Sequence, residues 1–279
     1  MKRKKNSITF LGTGTSTGIP MIGCNCSVCT SKDPKDSRLR TSAFIEYEGF
    51  KILIDCGPDF RQQALKHHIS DIDAILITHQ HKDHIGGLDD VRAFNYLKGM
   101  ATPIYCEKRV LEGLKREYAY AFEEHPYPGT PKFEIHLIKN QPFRIKKKIT
   151  TPTGQEQFIE IEIVPIRVYH YKLPILAFRL GSLCYLTDGK RIPEVEFEKL
   201  HNLDIFTINC INRSKHIAHF TLNESLSIIR RVGAKRNYLT HFSHQIGDDN
   251  LKIDGRHQAL CKELPKGIEP AYDGLKIEF

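Results

Sequence analysis

Short apolar runs alternate with helical patterns along most of the chain, which is typical of a protein that mixes strands and helices. The predicted strands are Ile8 to Leu11, Ser42 to Tyr47, Lys51 to Ile54, Asp73 to Ile77 and Pro103 to Cys106, and the predicted helices are Asp59 to His67, Leu88 to Leu97, Glu107 to Tyr120 and Asn223 to Arg231. Phe158 to Val164 alternates apolar and acidic residues, as a half-exposed antiparallel strand should. No linker or shift in composition interrupts the pattern, so we predict one domain over residues 1–279.

The second half of the chain resembles the first. An apolar strand ends in Asp55-Cys56-Gly57 in one half and in Asp188-Gly189 in the other, and a later strand ends in Thr78-His79 or in Thr240-His241. Two related halves indicate two sheets packed face to face with helices outside. Polar side chains at the strand ends would then meet along one edge of the sandwich.

A dense set of metal-binding side chains, His79-Gln80-His81-Lys82-Asp83-His84, follows the predicted strand at Asp73 to Ile77. Imidazole and carboxylate groups suit zinc, iron or manganese. Alternate residues of an extended segment point the same way, so His79 and His81 can reach one metal, while Asp83 and His84 can serve a second. The alternative is a polar loop that is rich in histidine by chance.

The overall composition is that of a globular protein without a membrane span. Hydrophobic residues make up 40% of the 279 residues and charged residues 27%. The basic N-terminus lacks the apolar stretch of a signal peptide, so we expect a cytoplasmic protein. The net charge of +8 favours an anionic partner.

A second metal site is predicted at residues 23–29. Cys24, Cys26 and Cys29 lie within six residues, and such thiolate clusters usually hold a closed structural zinc. His244 is the candidate fourth ligand, while a redox or incidental cluster is the alternative. The preceding Gly12-Thr13-Gly14-Thr15-Ser16 is not followed by a helical pattern, so we discount a dinucleotide fingerprint.

These residues resemble the metallo-β-lactamase superfamily of metal-dependent hydrolases. Its signature His-x-His-x-Asp-His is complete at His79 to His84, and the likeness extends from Leu11 to about His244. The resemblance implies an αββα four-layer sandwich of mixed α and β structure. It also implies that His170 completes the first metal site, that Asp188 bridges both metals, that His241 completes the second, and that Asp55 orients the ligand loop. His136 is the competing choice for His170.

Within the superfamily, the chain resembles the phosphoribosyl 1,2-cyclic phosphate phosphodiesterases. The likeness rests on Gly-Thr-Gly, Gly-Ile-Pro, the cysteine cluster, Asp55 to Arg61 and His219 to Glu224. It implies two divalent metals (zinc, manganese or iron), one structural zinc and a small phosphodiester substrate. His219 is then the candidate proton donor to the leaving group, with His216 as its nearest rival, and Asp83 could take the proton of the attacking water.

Several alternatives stay open. A tRNA 3′-processing endonuclease is the nearest rival, although the chain has no long basic arm and RNA is the less favoured partner. A pyrroloquinoline-quinone-biosynthesis-like protein shares the cysteine cluster, and a metal-binding scaffold or a thioester hydrolase is less favoured. Related enzymes are often homodimers, which allows a homodimer here. Tyr169 and the stretch from Lys146 to Phe158 depart from the phosphodiesterase pattern, and the role of residues 122–160 (including a Pro/Gly-rich segment that could be a lid or an oligomer contact) is open.

Overall fold

The computed structural model describes residues 5–151 and 154–279, so residues 1–4 of the basic N-terminal run lie outside it. Its strands are β1 (Ser7–Gly12), β2 (Ser42–Tyr47), β3 (Phe50–Ile54), β4 (Ala74–Leu76), β5 (Thr102–Cys106), β6 (Phe133–Leu137), β7 (Phe143–Thr150), β8 (Glu156–His170), β9 (Leu173–Leu180), β10 (Leu183–Tyr185), β11 (Ile205–Asn209), β12 (Arg236–Thr240), β13 (Ile268–Pro270) and β14 (Lys276–Glu278). Its α-helices are α1 (Phe60–Lys66), α2 (Lys82–Ile85), α3 (Arg92–Lys98), α4 (Lys108–Glu117), α5 (Leu222–Val232) and α6 (His257–Glu263). Short 3₁₀ helices cover Pro34–Asp36, Leu88–Val91, Ala119–Ala121, Glu194–Leu200 and His244–Ile246.

The strands form two seven-stranded sheets, in the orders β14-β1-β2-β3-β4-β5-β6 and β13-β12-β11-β10-β9-β8-β7. Strands β3 to β6 are parallel to one another, as are β10 to β13, and the remaining neighbours are antiparallel. Parallel strands end at the same edge of a sheet. Each sheet therefore delivers the residues that follow its parallel strands to one edge, as the repeated halves predicted.

Alternation along the strands produces the four layers. Ile52 and Ile54 of β3 face the other sheet and pack in one core with Phe178 of β9 and Tyr185 of β10, whereas Leu53 faces outward. That outer face is covered by α1, α3 and α4, and the outer face of the second sheet packs against α5 and α6. Full burial of one such side chain stabilises the fold by about 1.5–3 kcal/mol. The predicted αββα sandwich is confirmed.

The structure extends several predicted elements. The half-exposed strand predicted at Phe158 to Val164 is part of β8, which runs for 15 residues and pairs with β7 in a long hairpin. Helix α5 begins after Thr221, whose side chain forms a capping box with Glu224. Of the helices that the structure describes, none is both long enough and apolar enough to cross a membrane.

Candidate metal centre

The predicted ligands lie where strands end at one edge of the sandwich. Asp55 directly follows β3, His241 directly follows β12, and Asp188 lies three residues beyond β10. All three have left-handed backbones, with φ of +59°, +60° and +56°. Residues other than glycine rarely adopt this conformation, and such strain concentrates at functional sites.

The carboxylate of Asp188 is at the centre of the cluster. Its Oδ1 lies 3.0 Å from His241 Nδ1 and 3.4 Å from His84 Nε2, and its Oδ2 lies 3.9 Å from His79 Nε2. Asp83 Oδ2 is 3.3 Å from His84 Nε2. One carboxylate thus faces side chains from both halves of the chain, which is the arrangement that a bridging ligand requires.

His81 and His170 complete the group on the other side of His79. The ring of His81 is 4.5 Å from that of His79 and 5.0 Å from that of His170, centroid to centroid. His170 lies at the end of β8. The competing candidate, His136, is in β6, where its ring stacks on Tyr105 and pairs with Glu134. The structure therefore brings together all seven predicted ligands without His136.

A second set of hydrogen bonds orients these rings. Asp55 accepts from the Thr78 backbone N–H at 2.8 Å, from the Thr78 hydroxyl at 2.9 Å and from His84 Nδ1 at 2.7 Å. His170 Nδ1 donates to the carbonyls of Asp188 and Ala218, both at 3.0 Å. Because these contacts occupy Nδ1 of His84 and of His170, their Nε2 atoms are free to bind a metal. Asp55 thus has the orienting position expected of it.

The donor set fits metal ions. His79 Nε2, His84 Nε2 and His219 Nδ1 are buried without a hydrogen-bond partner among the described residues, and each such orphan costs about 1–3 kcal/mol unless something pairs with it. Burial lowers the pKa of His79 well below its usual value, so its ring is in the neutral form that binds metals. Burial opposes the charge of Asp188, but the imidazoles of His241 and His84 hold its pKa well below the ordinary range.

His219 lies against the cluster. Its ring is 4.6 Å from that of His170 and 4.9 Å from that of His241, and its Nδ1 is 3.9 Å from Asp188 Oδ2. Together with His170 and Asp188 it even forms a possible ligand set. Burial lowers the pKa of His219 to about 3, so the ring is neutral at pH 7 when no anion is bound.

The rival candidate, His216, has a different position. Its Nδ1 accepts the backbone N–H groups of Ala218 and His219 at 3.2 and 3.1 Å. It therefore supports the loop that carries His219.

The four predicted zinc ligands of residues 23–29 also come together. Nδ1 of His244 lies 3.3 Å from Cys24 Sγ and 3.4 Å from Cys26 Sγ, and ligand atoms from all three cysteines and His244 lie within 4.8 Å of one another. Their assignment to a zinc ion, like that of the seven ligands at the metal centre, stays a prediction.

Sequence reasoning missed the contact that Thr15 makes with the metal centre. The Thr15 hydroxyl lies 3.1 Å from His241 Nε2, which leaves Nδ1 of that ring for the metal side. The backbone N–H of Thr15 also donates to the carbonyl of Phe242 at 2.9 Å. The Gly-Thr-Gly motif contributes to the resemblance to the phosphodiesterases, but the sequence alone does not assign Thr15 a place at the site.

Comparison with known proteins agrees with this architecture. Residues 51–242 match the family model described as a beta-lactamase superfamily domain, and that range contains all seven predicted ligands and His219. The chain therefore belongs to the metallo-β-lactamase superfamily. The predicted fold is confirmed.

Individual relatives identify a family within this superfamily. A crystal structure of a new diphosphatase from the PhnP family is 38% identical, covers 99% of this chain and 98% of that chain, and has a TM-score of 0.83. The chain belongs to this family. An octanoyltransferase of Porphyromonas gingivalis is 38% identical over 96% of this chain and 50% of that protein, so the chain spans about half of that relative. A ribonuclease Z of Agathobacter rectalis is 23% identical over 75% of this chain and 84% of that protein.

Proposed function

We propose that the chain is a binuclear metal-dependent phosphodiesterase that acts on a small phosphodiester. The observation that carries the proposal is the convergence of buried imidazoles on the carboxylate of Asp188, with unpartnered nitrogens directed into one site. The full-length similarity to a diphosphatase supports phosphorus as the reacting centre. The net charge of +8 suits an anionic substrate.

Two divalent metals, zinc, manganese or iron, fit the donor set. His79, His81 and His170 would hold one metal, Asp83, His84 and His241 the other, and Asp188 both. Such a pair supplies a nucleophile at neutral pH and neutralises charge on the phosphoryl oxygens. A structural zinc on Cys24, Cys26, Cys29 and His244 is part of the same proposal.

The chain's own groups handle the protons. Asp83 is the candidate acceptor for the proton of the attacking water. Burial opposes its charge, but the imidazole of His84 lowers its pKa, so the carboxylate is ionised at neutral pH. His219 would donate to the leaving alkoxide. Since its ring is neutral in the free site, the charge of a bound phosphate would have to favour its protonated form.

We propose 5-phosphoribosyl 1,2-cyclic phosphate as the first substrate to test. Metal-loaded protein should hydrolyse it, and Asp188→Asn should abolish turnover and lower the metal content. Hydrolysis of a simple aryl phosphodiester alone would support the proposed phosphodiesterase activity and reject the ribosyl cyclic phosphate as its substrate. No turnover of either diester by protein that holds two metals would reject the proposed activity.

A tRNA 3′-processing nuclease is the second candidate, and the ribonuclease Z relative favours it. Such an enzyme should bind tRNA with a steep dependence on salt concentration and cleave its 3′ trailer. Absence of tRNA binding at physiological salt would reject this candidate and favour a small phosphodiester as the substrate.

Light scattering of the same preparation tests the predicted homodimer.

A further inference from the structure

The turn between β8 and β9 places an exposed tyrosine directly after His170, a residue of the metal centre. It consists of Tyr171 and Lys172 and directly follows His170. Tyr171 is 50% exposed, and its backbone is left-handed, with φ of +53°. Glycine or asparagine would adopt this backbone at lower cost. Stability of the turn therefore does not explain a tyrosine at this position.

The neighbouring Tyr169 shows what a structural tyrosine looks like here. The guanidinium of Arg191 lies 3.9 Å from its ring centroid, and its backbone N–H donates to the Arg191 carbonyl at 2.8 Å. Among the described residues, the Tyr171 ring contacts no second aromatic ring, and the one cation over it is the ammonium group of Lys172, 5.4 Å from the ring centroid. Tyr171 thus combines an aromatic face with a nearby positive charge.

The loop that carries His219 lies against His170. The carbonyl of Ala218 accepts from His170 Nδ1 at 3.0 Å, so this loop touches the residue that precedes Tyr171. Ile217, next to Ala218, is 66% exposed, and Lys215 is exposed as well. Exposed apolar and basic residues therefore occur in both chain segments that carry the adjacent imidazoles of His170 and His219.

We propose that Tyr171, with Lys172 beside it, is a specificity-determining residue that stacks on the base of a nucleoside-bearing phosphodiester. Every nucleobase offers a π face, and an adjacent ammonium group suits its phosphate. The inference rests on the proposed function and narrows its substrate class, because a ribosyl cyclic phosphate without a base would leave the ring unused.

The chain contains a matched control on the same strand. Phe158 is 73% exposed and lies in β8, 12 residues before His170, which corresponds to about 40 Å along an extended strand. Removal of its ring changes exposed aromatic surface without reaching the metal centre.

Binding to metal-loaded protein tests the inference without turnover. AMP and ribose 5-phosphate share a sugar phosphate and differ in the base. Tyr171→Gly should weaken AMP binding by about 5- to 150-fold, the usual range for loss of one stacked base. Ribose 5-phosphate binding should stay within about twofold. Tyr171→Phe should keep AMP affinity, and Phe158→Ala should change neither ligand.

Thermal unfolding distinguishes a binding role of Tyr171 from a structural one. Tyr171→Gly should keep or raise Tm because glycine relieves the left-handed backbone, whereas a structural tyrosine would lower it on removal. Equal weakening of both ligands by Tyr171→Gly, or AMP binding no tighter than ribose 5-phosphate binding in the unmodified protein, would overturn the inference.

Turnover separates this inference from the proposed function. Tyr171→Gly should lower kcat/KM for adenosine 2′,3′-cyclic phosphate by raising KM, with kcat unchanged. The same variant should leave kcat and KM for the ribosyl cyclic phosphate unchanged. The protein could bind AMP in a way that depends on Tyr171 and yet hydrolyse neither substrate. That result would reject the proposed phosphodiesterase activity but support the nucleotide-binding role of Tyr171.

Discussion

Asp55→Asn should release metal while leaving the backbone intact. Asp55 Oδ2 accepts both the Thr78 hydroxyl and His84 Nδ1–H, and an amide can keep only one oxygen as an acceptor. Asparagine tolerates the left-handed φ of +59°, so strain does not confuse the result. Loss of a hydrogen bond to a buried charged group lowers the free energy of unfolding by about 1.5–3 kcal/mol. Loss of an orienting partner weakens metal binding by about 10- to 100-fold.

Asp59→Asn is the control for this variant. Asp59 accepts the backbone N–H and the guanidinium of Arg40 at 2.8 and 2.7 Å, but it does not contact a predicted ligand. Both variants should unfold at a lower denaturant concentration than the wild type. Only Asp55→Asn should lose its metal more readily as the chelator concentration is raised in steps, with metal content measured by mass spectrometry. Wild-type metal affinity in Asp55→Asn would refute an orienting role for this carboxylate.

The local pattern of the sequence was sufficient for the layers and for most of the site. Period-two alternation separates Ile52 and Ile54, which face the inner core, from Leu53, which faces the outer one. The strand-end motifs with Asp55, Asp188 and His241 indicated where the two halves would meet. His170, however, was identified through resemblance to a family, because a single histidine at the end of a strand carries little information.

Contacts between distant segments could not be predicted from the sequence. Thr15 and His241 are 226 residues apart, and no local periodicity encodes their pairing. The same applies to the edge strands β13 and β14, which are three residues each and pair with β12 and β1. The position of His219 within reach of Asp188 and His170 also depends on the path of its loop, which only the folded chain defines.

Three further predictions concern separate parts of the chain. His219→Ala should lower kcat by about 10²- to 10⁴-fold while the protein retains both metals, and loss of a metal would instead indicate a ligand. Cys26→Ser should remove one zinc per chain without changing the far-UV circular dichroism of the metal-loaded sandwich, and wild-type zinc content would contradict the site. His257, which is 4% exposed, has its pKa lowered to about 4 by burial and by the charges of Arg38 and Lys35. Since the unfolded chain binds this proton near pH 6.5 and the folded chain only near pH 4, the free energy of unfolding should fall as the pH drops through that window. The gap of about 2.5 pKa units corresponds to a loss of about 1–2 kcal/mol between pH 7 and pH 5. His257→Gln should remove that part of the pH dependence in urea titrations, and an unchanged slope would show that other groups are responsible.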